Sequence, residues 1–249
     1  MGNWSKLKTC KLAFILFAFL AFPTSALSQT GVGQQKGSPV SLIPFQDGAF
    51  FNSGRSQLNA DALNSFDFKK SYGPGGLDKA LFFAVYNQNS QAMVRWMSIT
   101  DVSAYPIMFG TPVSFWIAHA VGGMKGSEAL EMSVSWVGAT GGSLVLKHLI
   151  KRVRPFAFLT DVVAKPGYAG AKGLGTEASM PSGHAAIIFA LATTMSLQHP
   201  EWYAVTPSTL IAASVATSRV WLGVHYPSDV AAGAILGISS AVILHLLIN

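Results

Sequence analysis

The sequence predicts an all-α fold, a helical-bundle membrane domain of about five to six helices with an interfacial amphipathic helix at its start. Three observations predict it. Half of the 249 residues are hydrophobic and only 11% are charged, against roughly a quarter charged in an ordinary soluble domain. Uncharged runs such as 102–124 and 230–249 reach the length of a bilayer span, for which ~20 residues suffice. Prolines and a Ser-Gly step punctuate the runs where helices would begin or end. The chain divides into residues 1–28, a signal peptide or N-terminal membrane anchor; 29–76, a linker or loosely ordered arm; and 77–249, the helical domain.

The first segment carries Lys6, Lys8 and Lys11, an apolar run from Leu12 to Phe22, and small residues at Thr24, Ser25, Ala26 and Ser28. That order is the pattern of a secretory signal peptide, with cleavage expected after Ala26 or Ser28. An uncleaved first membrane helix is the competing reading, against which the apolar run is short. The single cysteine, Cys10, lies in this leader, so cleavage would leave no thiol, which suits an oxidising compartment. Without the three leader lysines the formal net charge of +6 falls to +3. The remaining cations gather in one stretch of chain rather than along a polar face, which argues against a nucleic-acid partner. Residues 29–76 are rich in Gly, Ser, Gln and Asn and show little periodicity.

Leu77 to Met97 interleaves Leu81, Phe82, Val85, Met93, Val94 and Met97 with Asn87, Gln88, Asn89 and Arg95. This is the pattern of an interrupted amphipathic helix lying in the membrane interface, with Trp96 as an anchor; a core-packing helix of a soluble protein is the alternative. Val102 to Met124 is long enough to cross and is expected to kink at Pro106 and Pro112. In the helix from Ala129 to Ile150, Ala139, Gly141, Gly142 and Ser143 permit close helix approach. The Gly- and Ala-rich loop from Phe156 to Met180 either shapes a substrate entrance or is a flexible surface loop with no binding role. Helices follow over His184 to Leu197 and Ala204 to Ser218, the second with Thr206 as cap and Pro207 in its first turn, while Trp202 and Tyr203 suit the opposite interface. The last helix starts at Pro227, with Asp229 in its first turn.

Three short clusters sit at the boundaries of these helices: Lys147 with Arg154-Pro155; Pro181-Ser182-Gly183-His184; and Ser218-Arg219 with His225 and Asp229. Lys147 and Arg154 are seven residues apart, close to two helical turns, so a helix ending near Pro155 would carry both cations on one face. Ser182 reads as an N-cap and Gly183 as a close-approach glycine, at a helix start that offers backbone N–H groups to an anion. Arg219 can fork onto two phosphoryl oxygens, and Asp229 can accept the N–H of His225 and so fix its tautomer. This inventory can hold a phosphoryl group and break its ester bond, and it asks for no metal and no other cofactor. Lys151 and Arg152 fall outside the clusters and are expected on a solvated or head-group-facing rim. His119, His148, His199 and His245 have no identifiable partner, and Trp221 and Tyr226 read as packing.

In these clusters the sequence closely resembles the type 2 phosphatidic acid phosphatase superfamily, in its bacterial membrane lipid phosphatase branch, from about Leu77 to the C-terminus. The resemblance implies a phosphatase acting on a lipid phosphate or pyrophosphate. His225 would be the nucleophile, Asp229 its orienting carboxylate and His184 the general acid and base. Lys147, Arg154, Arg219, Ser182 and Gly183 would bind the phosphoryl oxygens. With both histidines near their ordinary pKa of ~6.5, the rate profile would be bell-shaped. Threading the helices alternately through the bilayer brings all three clusters to one face, expected to be the periplasmic face of a bacterial inner membrane. A soluble periplasmic acid phosphatase of the same superfamily, a vanadate-dependent haloperoxidase and a catalytically silent lipid-binding or transport protein are the alternatives. The sequence leaves the particular lipid and the oligomeric state open.

Overall fold

The computed structural model describes residues 74–165 and 176–249. The expected leader, nearly all of the arm and the middle of the 156–180 loop lie outside the described residues. Seven helical segments are present among those described: α1 (Gly76–Tyr86), α2 (Gln91–Ala120), α3 (Gly126–Ile150), the single turn α4 (Pro155–Phe158), α5 (Gly183–Gln198), α6 (Trp202–Trp221) and α7 (Pro227–Ile248). The all-α bundle expected from the sequence is the fold observed.

Several boundaries differ from expectation. The interfacial segment is broken after Tyr86, because Ser90 caps a new helix by accepting the Met93 N–H at 3.3 Å. Met93 to Met97 therefore belong to α2, which continues as one 30-residue helix past Pro106 and Pro112. Helix α6 begins at Trp202 behind Glu201, so Thr206 is internal rather than a cap and Pro207 lies beyond the first turn. A proline there removes one intrahelical bond. The hydroxyl of Ser208 turns back onto the carbonyls of Ala204 and Val205, at 2.8 and 3.0 Å.

Helix α5 is the centre of the bundle, flanked by α3, α6 and α7. Its contact with α7 depends on two glycines: a Cβ at Gly233 would stand 2.4 Å from the Ser182 carbonyl, and one at Gly237 would stand 2.1 Å from that of Ala186. No side chain fits there. On α3, Gly138 and Gly142 face Ser240 and Leu236 of α7, while Gly141 faces open space. Ala139 packs with Ala186 and Ala190. Two apolar clusters fill the bundle, one around Ile107, Met108, Ile188 and Val215 and the other around Phe115, Met132, Leu191 and Met195. A third, with Phe82, Val162, Val220 and Tyr226, fastens α1 beneath the clustered polar residues.

The outward faces are apolar as well. Val102, Phe109 and Val113 on α2, Val137, Leu144 and Val145 on α3, and Ile235, Leu246 and Leu247 on α7 are all exposed. Exposed apolar faces of this kind mark a surface for a partner or a membrane. By length and composition α7 alone among the described helices qualifies to cross a membrane, with a mean hydropathy of 2.2. At the bundle end away from the clusters, Glu131 is buried and accepts from Gln198 at 3.1 Å, and it pairs with His245 at 2.8 Å. His245 thus has the partner the sequence did not reveal.

Candidate active site

Helix α3 ends at Ile150, where Lys151 takes a left-handed conformation with φ 50°. Arg154 lies beyond that end in extended backbone, as the residue before a proline must, and Pro155 starts α4 instead of stopping α3. Lys147 and Arg154 are therefore not on one helical face, contrary to the spacing argument. They meet by another route. The Lys147 ammonium and the Arg154 guanidinium both donate to the Ala178 carbonyl, at 2.6 and 3.0 Å.

The second cluster arrives at the head of α5. Ser182 is the N-cap, its hydroxyl accepting the Ala185 N–H at 3.5 Å, and its own N–H donates to the Asp229 carbonyl at 2.9 Å. A Cβ on Gly183 would lie 3.8 Å from the Lys147 side chain and 3.5 Å from the Ser143 hydroxyl. Those are ordinary contacts, so protein packing does not itself demand glycine at 183. The His184 ring stands edge-on to Tyr105 at 5.1 Å, and its buried Nε2 makes no hydrogen bond among the described residues. The charges of Arg219, Lys147 and Arg154, and the His225 ring, all act on it.

The third cluster spans the α6–α7 turn. Arg219 is fully buried, donates from Nε and Nη2 to the Ser218 hydroxyl at 3.1 and 2.9 Å, and is ion-paired with Asp101 of α2. Gly223, at φ 79°, reverses the chain and brings His225 back to the site. Arg154 Nη1 donates to the Val224 carbonyl at 3.0 Å and lies 3.2 Å from His225 Nε2. A guanidinium can only donate. His225 Nε2 must then present its lone pair, which places the ring proton of the neutral imidazole on Nδ1, facing Asp229. Burial, reinforced by Arg154 and Lys147 and opposed by Asp229, pushes the His225 imidazole down to about 4.

Asp229 departs from expectation. Its Oδ2 is 3.7 Å from His225 Nδ1, an ion-pair distance too long for a hydrogen bond. The carboxylate instead accepts from Arg152 at 2.6 Å, from the Tyr226 N–H at 2.8 Å, and from the Ser179 hydroxyl. Arg152 is accordingly no rim residue. It is 6% exposed and also pairs with Asp78 of α1 at 2.7 Å, and these two carboxylates outweigh burial and hold its guanidinium above the usual arginine range. Asp78, Asp101, Arg152 and Ser179 are the site residues that sequence reasoning missed.

Beside Lys147 a cleft of about 340 Å³ opens, lined by Leu144, Lys147, His148, Lys151, Glu177 and Ala178. Among the described residues no three His, Cys, Asp or Glu side chains are grouped so as to hold a metal ion. Lys147, Arg154 and Arg219 bring positive charge to this end of the bundle.

Comparison with known proteins gives the same direction. The family model for the PAP2 superfamily matches residues 128–249. An undecaprenyl-diphosphatase of Sulfolobus acidocaldarius is 36% identical over 111 residues, 43% of this chain and 49% of that protein. The alignment thus spans about half the length of that relative. The bacitracin transport permease protein BcrC of Bacillus licheniformis is 28% identical over 193 residues, 75% of this chain and 78% of that protein. Among solved structures, LpxE of Aquifex aeolicus superposes with a TM-score of 0.58 at 23% identity, over 69% of this chain and 96% of that one, a likeness of fold. The three clusters, the bundle that carries them and the matched segment agree: residues 128–249 of this chain belong to the PAP2 superfamily.

Proposed function

We propose that the protein is a phosphatase that hydrolyses a lipid phosphate or pyrophosphate monoester through a phosphohistidine intermediate, without a metal. The observation that carries this reading is the 3.2 Å contact between Arg154 Nη1 and His225 Nε2. A buried imidazole with its lone pair aimed at a cation is arranged to meet an anion there. When a phosphoryl oxygen takes over the Arg154 N–H, that lone pair is left facing phosphorus.

His225 Nε2 forms the N–P bond while the P–O bond to the lipid alcohol, or to the bridging oxygen of a pyrophosphate, breaks. The leaving oxygen takes a proton from His184, whose imidazolium form is favoured by the negative charge of the bound phosphoryl group. Water then attacks phosphorus, gives its proton to His184, and releases inorganic phosphate with His225 restored. Lys147, Arg154, Arg219, the Ser182 hydroxyl and the Gly183 N–H hold the three non-bridging oxygens as charge builds. Asp229 stabilises the ring cation formed at His225 from 3.7 Å.

The setting we propose is a multi-pass protein of a bacterial inner membrane with this site at the periplasmic face. Support comes from the apolar outward faces of α2, α3 and α7 and from the meeting of the clusters at one end of the bundle. The cleft beside Lys147 would take the head group. A lipid substrate is supported by the similarity to an undecaprenyl-diphosphatase. A lipid-binding or transport role without chemistry is the second reading, favoured by the similarity to a protein named a transport permease.

The test is phosphate release by the purified protein across lipid mono- and pyrophosphates, with and without chelator, beside His225→Ala. Turnover by the parent that chelator leaves intact, with an acid-labile phosphoenzyme that His225→Ala lacks, is expected. Release undiminished in His225→Ala overturns the nucleophile, and loss on chelation overturns the metal-free mechanism. No release from any substrate favours the transport reading.

A further inference from the structure

The buried group with most invested in it, and no part in the chemistry above, is Arg152. Its Nη1 donates to Asp229 Oδ1 and to the Ser228 hydroxyl, both at 2.6 Å, and its Nη2 donates to Asp78 Oδ2 at 2.7 Å. Asp78 is tied in turn to the head of α7, accepting the Ser228 N–H at 2.9 Å and the Ser228 hydroxyl at 2.6 Å. The guanidinium lies over the Tyr226 ring, 4.4 Å from its centroid, and Tyr226 packs on Phe82 of α1. The main chain of Arg152 takes part too, its carbonyl accepting the N–H of Ser179, whose hydroxyl donates to Asp229.

We infer that Arg152 and Asp78 are positioning residues: as a bridge from α1 they hold the Asp229 carboxylate in place behind His225 and share its charge. Both Asp229 oxygens are occupied by donors other than His225. The carboxylate cannot turn to hydrogen-bond the imidazole without giving up a charge-assisted bond. Arg152 thereby limits how strongly Asp229 draws a proton to the ring, and the ring stays neutral and nucleophilic. The other groups acting on His225 are Lys147 of α3, Arg154 before α4 and His184 of α5, and none of these touches Asp229 directly among the bonds described. Through Asp78, the seating of α1 is coupled to this arrangement. A helix with exposed Leu77 and Leu81 becomes part of the active-site unit.

A structural bridge would only add stability; a positioning bridge also sets the protonation of His225. The inference rests on His225 as nucleophile, and its test is read separately from turnover. The full chain, labelled at histidine and held in detergent, is titrated by NMR, with His225→Ala assigning the signal. In Arg152→Gln the His225 midpoint is expected to rise from about 4 toward the ordinary ~6.5, and in Arg152→Lys to stay close to the parent. An unmoved midpoint in folded Arg152→Gln overturns the inference, whatever the activity. Should that variant fail to fold, near-isosteric Asp78→Asn decides, assayed on dioctanoyl phosphatidate. A kcat lowered about tenfold at unchanged KM supports the bridge, and an unchanged kcat overturns it. A parent enzyme inactive on every lipid phosphate would sink the phosphatase reading instead and leave the titration to judge the bridge.

Discussion

Asp101 of α2 and Arg219 of α6 are ion-paired across the bundle, 118 positions apart in sequence, with Arg219 fully buried. The pair means that one candidate phosphate-binding cation is held by a carboxylate outside all three clusters. Removing one partner of a buried pair costs about 3–5 kcal/mol because the other charge is left uncompensated. Asp101→Ala is therefore expected to lower the unfolding temperature in detergent markedly, and Asp101→Ala with Arg219→Ala to recover part of the loss. Phosphate release should stay low in the double variant, since Arg219 is gone. An unfolding temperature unchanged in Asp101→Ala would show the pair to be incidental.

The pH dependence follows from His225. An imidazole that protonates at about 4 remains neutral through most of the range in which an ordinary one, at ~6.5, would already be charged. The acid limb of kcat/KM, which reports the free enzyme, is expected near pH 4 rather than near 6.5. The sequence alone, lacking burial, sets it at the higher value. The folded-state value is depressed below the unfolded one, so the stability tied to neutral His225 is complete above about pH 6.5 and is lost as pH falls toward 4. Phosphate release and thermal unfolding, each followed from pH 4 to 8, check the two statements independently. An acid limb at 6.5 would contradict the buried environment of the ring.

What the sequence conveyed and what it withheld divide along a physical line. Ser182 as a cap, Pro227 as a helix start and Asp229 in the first turn were legible because they are local. Each depends on side-chain chemistry within a few residues of its own backbone. The site's inner partners were not legible. Asp78, Asp101 and Arg152 look like ordinary charges at helix edges, and only the packing of α1, α2 and α7 brings them to Asp229 and Arg219. One signal was available for Asp101: a lone carboxylate beside a long uncharged run is expensive to bury unless a cation meets it. Lys147 and Arg154 illustrate the reverse error, in which helical spacing gave a proximity that the structure achieves instead through the Ala178 carbonyl.

Helices α5 and α7 meet at a seam where Gly233 and Gly237 leave no room for a side chain. The close approach at Gly233 and Gly237 sets Ser182 against the Asp229 carbonyl, 2.9 Å from its N–H, and so fixes how far the second cluster stands from the third. A methyl group at 237 would meet the Ala186 carbonyl at 2.1 Å. Backbone cannot yield as a side chain can, so the helices must part. Overpacking of this kind costs about 1–3 kcal/mol or more, and a 1 Å displacement of reacting groups can lower turnover about 100-fold. Gly237→Ala is accordingly expected to lose both stability and phosphate release, the second more than the first. Gly141→Ala, whose methyl meets nothing within 4 Å, should leave phosphate release intact and slightly raise helix stability through its propensity. Equal behaviour of the two variants would mean that the α5–α7 seam does not set the geometry of the site.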